Sequence, residues 1–217
     1  MRIRTLIVIA LLYATPGLAV SVTGRVRIVG RVGAGTPVVV YAEALDAKPT
    51  IPSARFSMSQ RNKSFAPHVL AIPVGSTVDF PNEDLIFHNV FSLSRPAPFD
   101  LGLYRGSVSK NRVFSAPAVY RVFCNIHPQM AGIILVVPTP YITETDAMGG
   151  YRLDLPAGRY RITAWSERAE VSVVESVITA TTANAPELML DESRFADSGH
   201  KNKLGQDYPK SAYDPTK

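Results

Sequence analysis

The sequence predicts an all-β protein. Short runs rich in β-branched and aromatic residues recur at regular spacing along the 217 residues, and Gly, Pro, Asn and Asp separate them. No segment has a sustained 3.6-residue apolar period with capping residues, so a low helix content is expected. Apolar residues make up 46% of the chain and charged residues 19%, which is enough apolar material for a packed core. An antiparallel β-sandwich or barrel is the architecture that this pattern favours.

Each expected strand is one of these runs. The first alternates apolar and polar residues, and the second contains Val-Val-Val-Tyr. Those that follow are short β-branched or aromatic segments ended by turn residues, and Pro138 separates the last three from the rest. The predicted strands are residues 22–28, 36–44, 55–60, 65–72, 76–80, 87–93, 119–124, 133–137, 151–155, 160–165 and 171–178.

Residues 1–19 have the pattern of a secretory signal peptide. Arg2 and Arg4 give a short positive region, residues 6–12 are apolar, and Pro-Gly-Leu-Ala precedes a cleavage point after Ala19. A membrane anchor is the alternative, but the apolar run is too short for a span of about 20 residues. We therefore expect an exported bacterial protein in the periplasm, without stable membrane insertion.

The charge balance is mild. Removal of the signal takes Lys plus Arg from 23 to 21 against 18 acidic residues, which leaves a net charge of +3. Such a balance does not favour a nucleic-acid partner or a membrane surface.

The segment 123–130, Phe-Cys-Asn-Ile-His-Pro-Gln-Met, places a thiol, an imidazole and a thioether within seven residues. Cys124 is the chain's one cysteine, so it cannot form an intramolecular disulfide, and in an exported protein it is inert, reactive or metal-bound. A second imidazole, His88, precedes Asn89 upstream. Two His, one Cys and one Met form the ligand set of a blue-copper electron-transfer site. The alternative to metal binding is a purely structural role, in which Cys124 is a buried apolar side chain and Met130 fills the core.

The chain from about residue 55 to residue 137 resembles the cupredoxins, especially plastocyanin and amicyanin. The resemblance rests on Phe-Ala-Pro at 65–67, on Pro-Val-Gly-Ser-Thr-Val-Asp-Phe-Pro-Asn at 73–82, on His-Asn-Val at 88–90 and on the Cys-x-x-His-x-x-Met spacing from Cys124. It implies a Greek-key β-sandwich and one type 1 copper ion. The implied ligands are His88, Cys124, His127 and Met130, the last of them axial.

The resemblance also implies roles for residues around the ligands. Asn89 would tie the two ligand-bearing segments together and direct its main-chain N–H at the Cys124 sulfur. The edge of His127 would emerge through an apolar patch with Pro128, Gln129 and Ala131 beside it. The implied partner is a periplasmic redox protein, such as a cytochrome or a dehydrogenase. The segment 55–137 has eight basic and four acidic residues, so an acidic partner surface is expected.

A second resemblance concerns the flanking segments. Gly-Arg-Val at 24–26, the strand at 37–40 and the segment 143–160 resemble the two halves of a carboxypeptidase regulatory-like, transthyretin-like sandwich. We therefore expect a cupredoxin domain at 53–137 inserted between the halves 20–52 and 138–190 of this second sandwich. The alternative is three consecutive units. Residues 191–217 are polar and are expected to form a flexible tail, with His200 in solvent.

These observations favour an electron carrier over an enzyme. A trinuclear copper oxidase needs a His-x-His set, and a dinuclear electron-transfer copper site needs two cysteines; the sequence has neither. A periplasmic protein that stores or delivers copper is the main alternative, and a metal-free β-sandwich interaction module is a third.

Overall fold

A computed structural model describes residues 19–30, 37–169, 173–180, 184–196 and 200–208. Every regular element in these residues is a strand, so the prediction of an all-β fold is confirmed. The strands are β1 (Val20–Val29), β2 (Val39–Ala44), β3 (Arg55–Ser57), β4 (Ser59–Arg61), β5 (Ser64–Ala66), β6 (Val69–Pro73), β7 (Ser76–Pro81), β8 (His88–Ser92), β9 (Phe99–Tyr104), β10 (Ser109–Phe114), β11 (Ala118–Phe123), β12 (Ala131–Val137), β13 (Tyr141–Glu144), β14 (Gly150–Leu155), β15 (Arg159–Trp165), β16 (Val173–Thr179) and β17 (Leu188–Asp191).

The central part of the chain forms a sandwich of two sheets. One sheet has five strands in the order β6-β12-β11-β8-β9, and the other has three in the order β10-β7-β3. Alternate residues of both sheets meet in a core that includes Phe80, Phe114, Tyr120 and Ile134. The pairing of β6 with β12 and of β3 with β7 is parallel, whereas β11 pairs with β12 and β8 antiparallel.

The segments on either side of this sandwich form two further sheets with the strand orders β14-β1-β17 and β13-β2-β15-β16. In them Val22 lies opposite Leu153 and Val40 lies opposite Ala164, so chain segments more than a hundred residues apart are neighbours. Their apolar faces enclose a second core. Strands from the two expected halves, 20–52 and 138–190, therefore pair with each other, while the domain boundaries drawn from the sequence stay a prediction.

The two sandwiches also pack on each other. Val69, Ile133 and Leu135 face outward from the five-stranded sheet and are buried in one cluster with Val39 and Trp165 of the flanking sheet. Because β12 is apolar on both faces, it contributes to two cores at once. Burial of this second face explains why the run Ile-Ile-Leu-Val-Val does not alternate with polar residues.

The strand predictions were incomplete. The segment expected at 65–72 is two strands, β5 and β6, because Pro67 has no N–H for a ladder bond. Strands β9, β10, β13 and β17 were missed. β9 contains Gly102 in the left-handed region, and β10 reads Ser-Lys-Asn-Arg-Val-Phe, so both lack the composition by which strands are recognised.

The predicted signal peptide lies, apart from Ala19, outside the described residues. Among the residues that are described, no helix has the length and apolar character needed to cross a membrane.

Candidate metal centre

Two neighbouring strands position the predicted ligands at one end of the five-stranded sheet. His88 begins β8, whose five residues are all buried, and Cys124 directly follows the last residue of β11. A tight loop then returns the chain to β12. It is closed by main-chain hydrogen bonds from Cys124 N to the Met130 carbonyl (3.2 Å) and from Met130 N to the His127 carbonyl (3.0 Å). The loop therefore fixes Cys124, His127 and Met130 relative to one another.

Three side-chain atoms converge inside this end of the sandwich. The Nδ1 atoms of His88 and His127 lie 3.0 Å apart, and the Cys124 Sγ lies 4.0 Å from the first and 3.6 Å from the second. His88 and Cys124 are fully buried and His127 is half-buried. In the described part of the chain, these three residues are the group of His, Cys and acidic side chains able to hold a metal ion.

The separations of these atoms fit a bound transition metal. In proteins, bonds of about 2.0–2.1 Å to nitrogen and about 2.3 Å to sulfur around one ion place ligand atoms roughly 3 to 4 Å apart. The three measured separations fall in that range. A thiolate with two imidazoles is also the donor set that suits copper. The residues present therefore fit one copper ion held by the three converging atoms.

Asp84 orients the buried histidine. Its Oδ2 lies 2.8 Å from Nε2 of His88, and its two carboxylate oxygens also accept the main-chain N–H groups of Asn62 (2.7 Å) and Lys63 (2.9 Å). Burial raises the pKa of the Asp84 carboxyl, but these hydrogen bonds and His88 lower it by more, so the pKa lies below its ordinary value. An ionised Asp84 can only accept, so it keeps the proton of His88 on Nε2 and leaves Nδ1 free for a metal.

The pKa values of the other two ligands differ in direction. Burial, with the charges of His88 and Lys63, lowers the pKa of His127 to about 4, so its imidazole is neutral at physiological pH. Burial raises the pKa of the Cys124 thiol, and main-chain N–H groups around the sulfur only partly offset this. At physiological pH the metal-free site therefore holds a neutral His127 imidazole and a protonated Cys124 thiol, and binding of a metal must release the thiol proton.

Asn89 has the role that the resemblance implied. Its main-chain N–H points at the Cys124 Sγ at 3.4 Å, and its side-chain oxygen accepts the N–H of Asn125 at 3.3 Å. The two ligand-bearing segments are thus joined next to the sulfur, and this expectation is confirmed. The side-chain N–H of Asn89 donates to Asp100 at 2.7 Å, which extends the link to β9.

The predicted methionine lies in the same core. Met130 is fully buried and belongs to the apolar cluster that contains Cys124. Its place at the end of the loop is fixed by the two main-chain bonds already described. Its role as a ligand stays a prediction.

The predicted apolar patch has a different composition from that expected. Pro128 is buried and Ala131 half-buried, so of the three neighbours named for His127 only Gln129 is exposed. The exposed apolar side chains instead come from the loop before His88 and from the residue before His127. They are Leu85 (98% exposed), Ile86 (40%), Phe87 (53%) and Ile126 (43%).

The sequence interpretation was wrong about His200 and missed Asp84. His200 was expected in solvent, but its ring stacks on Phe123 with the centroids 4.1 Å apart. The missed Asp84 precedes His88 by four residues in a loop, and only its spacing from the ligand could have indicated it. The remaining histidine, His68, is exposed and lies outside the site, with its Nε2 3.0 Å from Oε2 of Glu167.

Comparisons with known proteins give a likeness only at the level of three-dimensional structure. No protein-family model matches the chain, and no curated protein is similar to it in sequence. Among solved structures, a purple cupredoxin from Nitrosopumilus maritimus is similar over 37% of this chain and 98% of its own, with 25% identity and a TM-score of 0.35. A copper-containing nitrite reductase from Thermus scotoductus is similar over 52% of this chain and 28% of its own, with 29% identity and a TM-score of 0.37.

A reduced amicyanin variant is similar over 45% of this chain and 99% of its own, with 19% identity and a TM-score of 0.36. The chain thus spans about a quarter of the nitrite reductase and nearly all of the two small cupredoxins. The solved structures that it resembles thus include two cupredoxins and a copper-containing enzyme.

Proposed function

We propose that the protein is a periplasmic type 1 copper protein that carries single electrons between redox partners. The observation that carries the proposal is the convergence of His88 Nδ1, His127 Nδ1 and Cys124 Sγ within 4.0 Å of one another. Copper supplies reversible one-electron chemistry at such a donor set, and a soft thiolate beside two imidazoles serves both of its oxidation states. Met130 is proposed as the fourth, weaker ligand.

The residues around the ligands support a carrier because they hold the donor atoms still. Asp84 fixes the ring of His88, and Asn89 fixes the position of the Cys124 sulfur by its N–H. Both ligand-bearing segments are in turn anchored to a close-packed β-sandwich. A site whose ligands stay in place between oxidation states needs little reorganisation, and rapid single-electron exchange requires this.

The exposed apolar side chains beside the ligands favour contact with another protein. Leu85, Phe87 and Ile126 border the two histidines in sequence, and an apolar surface of this kind loses its water cheaply on docking. The copper-binding part of the chain has eight basic and four acidic residues, so the proposed partner is a periplasmic cytochrome or dehydrogenase with an acidic rim. Encounter with such a partner slows as salt rises, because screening weakens the attraction.

The proposed organisation keeps the division made from the sequence. Residues 1–19 form the export signal, residues 53–137 the copper domain, and residues 20–52 with 138–190 a second sandwich that supports it. Burial of Trp165 and Val39 against the copper domain is consistent with a supporting role.

Loading and cycling of the mature protein test the proposal. Copper-loaded protein should accept and release one electron per chain repeatedly and should keep its Cu(I) in the presence of a moderate Cu(I) chelator. Storage or delivery of copper predicts the opposite, namely rapid loss of Cu(I) to the chelator. Loss of the metal within a few cycles would contradict the carrier function and favour delivery.

Electron exchange with candidate periplasmic cytochromes tests the docking surface. Leu85→Glu should slow the exchange while the visible spectrum of the bound copper stays unchanged. Met189→Glu is the matched control, because Met189 is 60% exposed on the second sandwich, in β17. Equal rates for the two variants would place the electron exit elsewhere on the protein.

A further inference from the structure

The chain segment after β17 returns to the metal centre. Residues 200–208 lie against Phe123 at the end of β11 and against Cys124 and Asn125 at the start of the ligand loop. His200 stacks on Phe123 with the ring planes inclined by 24°, and Tyr208 packs edge-on against His200 with the centroids 5.3 Å apart. Tyr208 is 8% exposed, so this segment is packed on the sandwich by an aromatic cluster.

The segment has a fixed shape of its own. The side chain of Asn202 accepts the N–H groups of Leu204 (2.9 Å) and Gln206 (3.0 Å), and main-chain bonds link Asn202 with Gly205 and Gln206. Gly205 has a φ of +75°, a conformation that glycine adopts without strain. This turn presents Lys203 and Tyr208 towards the same part of the metal centre.

The peptide group between Cys124 and Asn125 makes hydrogen bonds through both its carbonyl and its N–H. The hydroxyl of Tyr208 donates to the Cys124 carbonyl at 2.9 Å, and the N–H of Asn125 donates to the side chain of Asn89 at 3.3 Å. On its other side, the N–H of Cys124 donates to the Met130 carbonyl. The main chain that directs the Cys124 side chain is thus held by three hydrogen bonds, one of which comes from residues 200–208.

Lys203 reaches the same link by a second route. Its main-chain N–H donates to the Asn125 side chain at 3.0 Å, and its ammonium lies 2.7 Å from Oδ2 of Asp100. The other oxygen of Asp100 accepts the side-chain N–H of Asn89. Lys203 therefore orients Asp100, and Asp100 orients the asparagine whose N–H faces the Cys124 sulfur.

We propose that residues 200–208 form a strap that holds the Cys124 side of the metal centre in place, with Tyr208 and Lys203 as its positioning residues. The consequence for the bound metal rests on the proposed function, but the consequence for the metal-free chain does not. The strap also covers Phe123, so the exposed apolar side chains on the His127 side are left as the open approach to the centre.

Amide hydrogen exchange in the metal-free, full-length protein tests the strap directly. Tyr208→Phe removes one hydroxyl and keeps the ring, and Lys203→Met removes the ammonium and keeps the main chain. Exchange at the Asn125 amide in Tyr208→Phe and at the Asn89 amide in Lys203→Met should become about fivefold faster, the factor expected for one hydrogen bond of ordinary strength.

Two control variants separate the strap from general effects. Tyr151→Phe removes a buried hydroxyl that has no hydrogen-bond partner among the described residues, and Lys201→Met removes an exposed neighbour of Lys203. Neither should change exchange at Asn89 or Asn125. Equal exchange rates in the strap variants and the controls would overturn the proposal.

The copper-loaded protein gives the second readout. If the strap positions Cys124, Tyr208→Phe and Lys203→Met should shift the thiolate-to-copper absorption and the reduction potential, while Tyr151→Phe and Lys201→Met should not. An unchanged absorption and potential in both strap variants would overturn the positioning of the bound metal. Failure of the unmodified protein to bind copper would instead contradict the proposed function, and the exchange data would still decide whether the strap holds the ligand loop.

Discussion

The Nδ1 atom of His88 lies 3.0 Å from the Nδ1 atom of His127. Because the carboxylate of Asp84 accepts from Nε2 of His88, the Nδ1 of a neutral His88 carries no proton and can only accept. When both imidazoles are neutral, His127 therefore donates its Nδ1 proton to His88. For a metal to bind both Nδ1 atoms, His127 must move this proton to its other nitrogen, and the Cys124 thiol must release its own. The two histidine nitrogens are therefore already close together before a metal binds.

The lowered pKa of His127 predicts how the stability of the metal-free protein changes with pH. The pKa is about 4 in the folded chain and about 6.5 in the unfolded chain, so the unfolded state binds the proton first as the pH falls. The free energy of unfolding should therefore decrease between pH 6.5 and pH 4, and His127→Gln should remove this part of the decrease. Urea denaturation of both proteins at pH 7, 5.5 and 4 measures it. Parallel pH profiles would contradict the assignment.

The contact between Asp84 and His88 predicts an effect on the affinity for copper. Asp84→Asn removes the carboxylate charge that lies beside Nε2 of His88. The imidazole then donates electrons to the metal less strongly, so copper affinity should fall by about 10- to 100-fold. The reduction potential should rise, because the oxidised, more highly charged metal loses more from the change. Titration with copper and voltammetry measure both quantities.

Glu83→Gln is the matched control for this substitution. It removes the same charge one residue away, where Glu83 lies 3.6 Å from Arg61 and is partly exposed. Its affinity and potential should match those of the unmodified protein. If Glu83→Gln and Asp84→Asn have equal effects, the local charge matters and the contact with His88 does not.

Met130 is expected to affect the reduction potential of the copper more than the retention of the metal. Met130→Leu should retain one copper per chain and raise the reduction potential, because a weak sulfur contact to the metal is lost. Met58→Leu is the matched control, since Met58 is fully buried in the same core. A potential unchanged from that of the control would show that Met130 only fills the core.

The shared apolar cluster predicts that the two sandwiches stabilise each other. Trp165 is 5% exposed and packs against Val69 and Ile133 of the central five-stranded sheet. Trp165→Ala should lower the free energy of unfolding by about 3–5 kcal/mol, the usual cost of such a cavity. Val177→Ala, at a position that is 57% exposed, should change it by less than about 0.5 kcal/mol. Equal losses for the two variants in urea denaturation would contradict a stabilising interface.

Much of the site could be predicted because its chemistry is local in sequence. Cys124, His127 and Met130 lie within seven residues, and the pair His88-Asn89 gives a second recognisable signal. The apolar–polar alternation of residues 120–124 also indicates that Tyr120 and Val122 share a face with Cys124, and all three are buried in the structure. Ligand types, spacing and strand period are properties that a sequence displays directly.

The remainder depends on contacts that a sequence does not display. Asp84 reaches His88 across a loop, and Tyr208 reaches Cys124 across 84 residues from a polar segment whose composition indicated a free tail. Residues 200–208 pack on the sandwich through a few aromatic and polar side chains, because Phe123 and the Cys124 carbonyl are accessible to them. The amino-acid composition of a segment does not show individual long-range contacts of this kind, so they could not be predicted from it.

The central claim is that His88, His127 and Cys124 hold one copper ion, and the visible spectrum of the copper-loaded mature protein tests it most directly. We expect one copper per chain and an intense thiolate-to-copper charge-transfer absorption in the oxidised state, which Cys124→Ser abolishes and Ser92→Ala, a change at a buried residue elsewhere in β8, leaves intact. An oxidised, loaded protein without this absorption, or a Cys124→Ser variant that keeps it, would contradict the account.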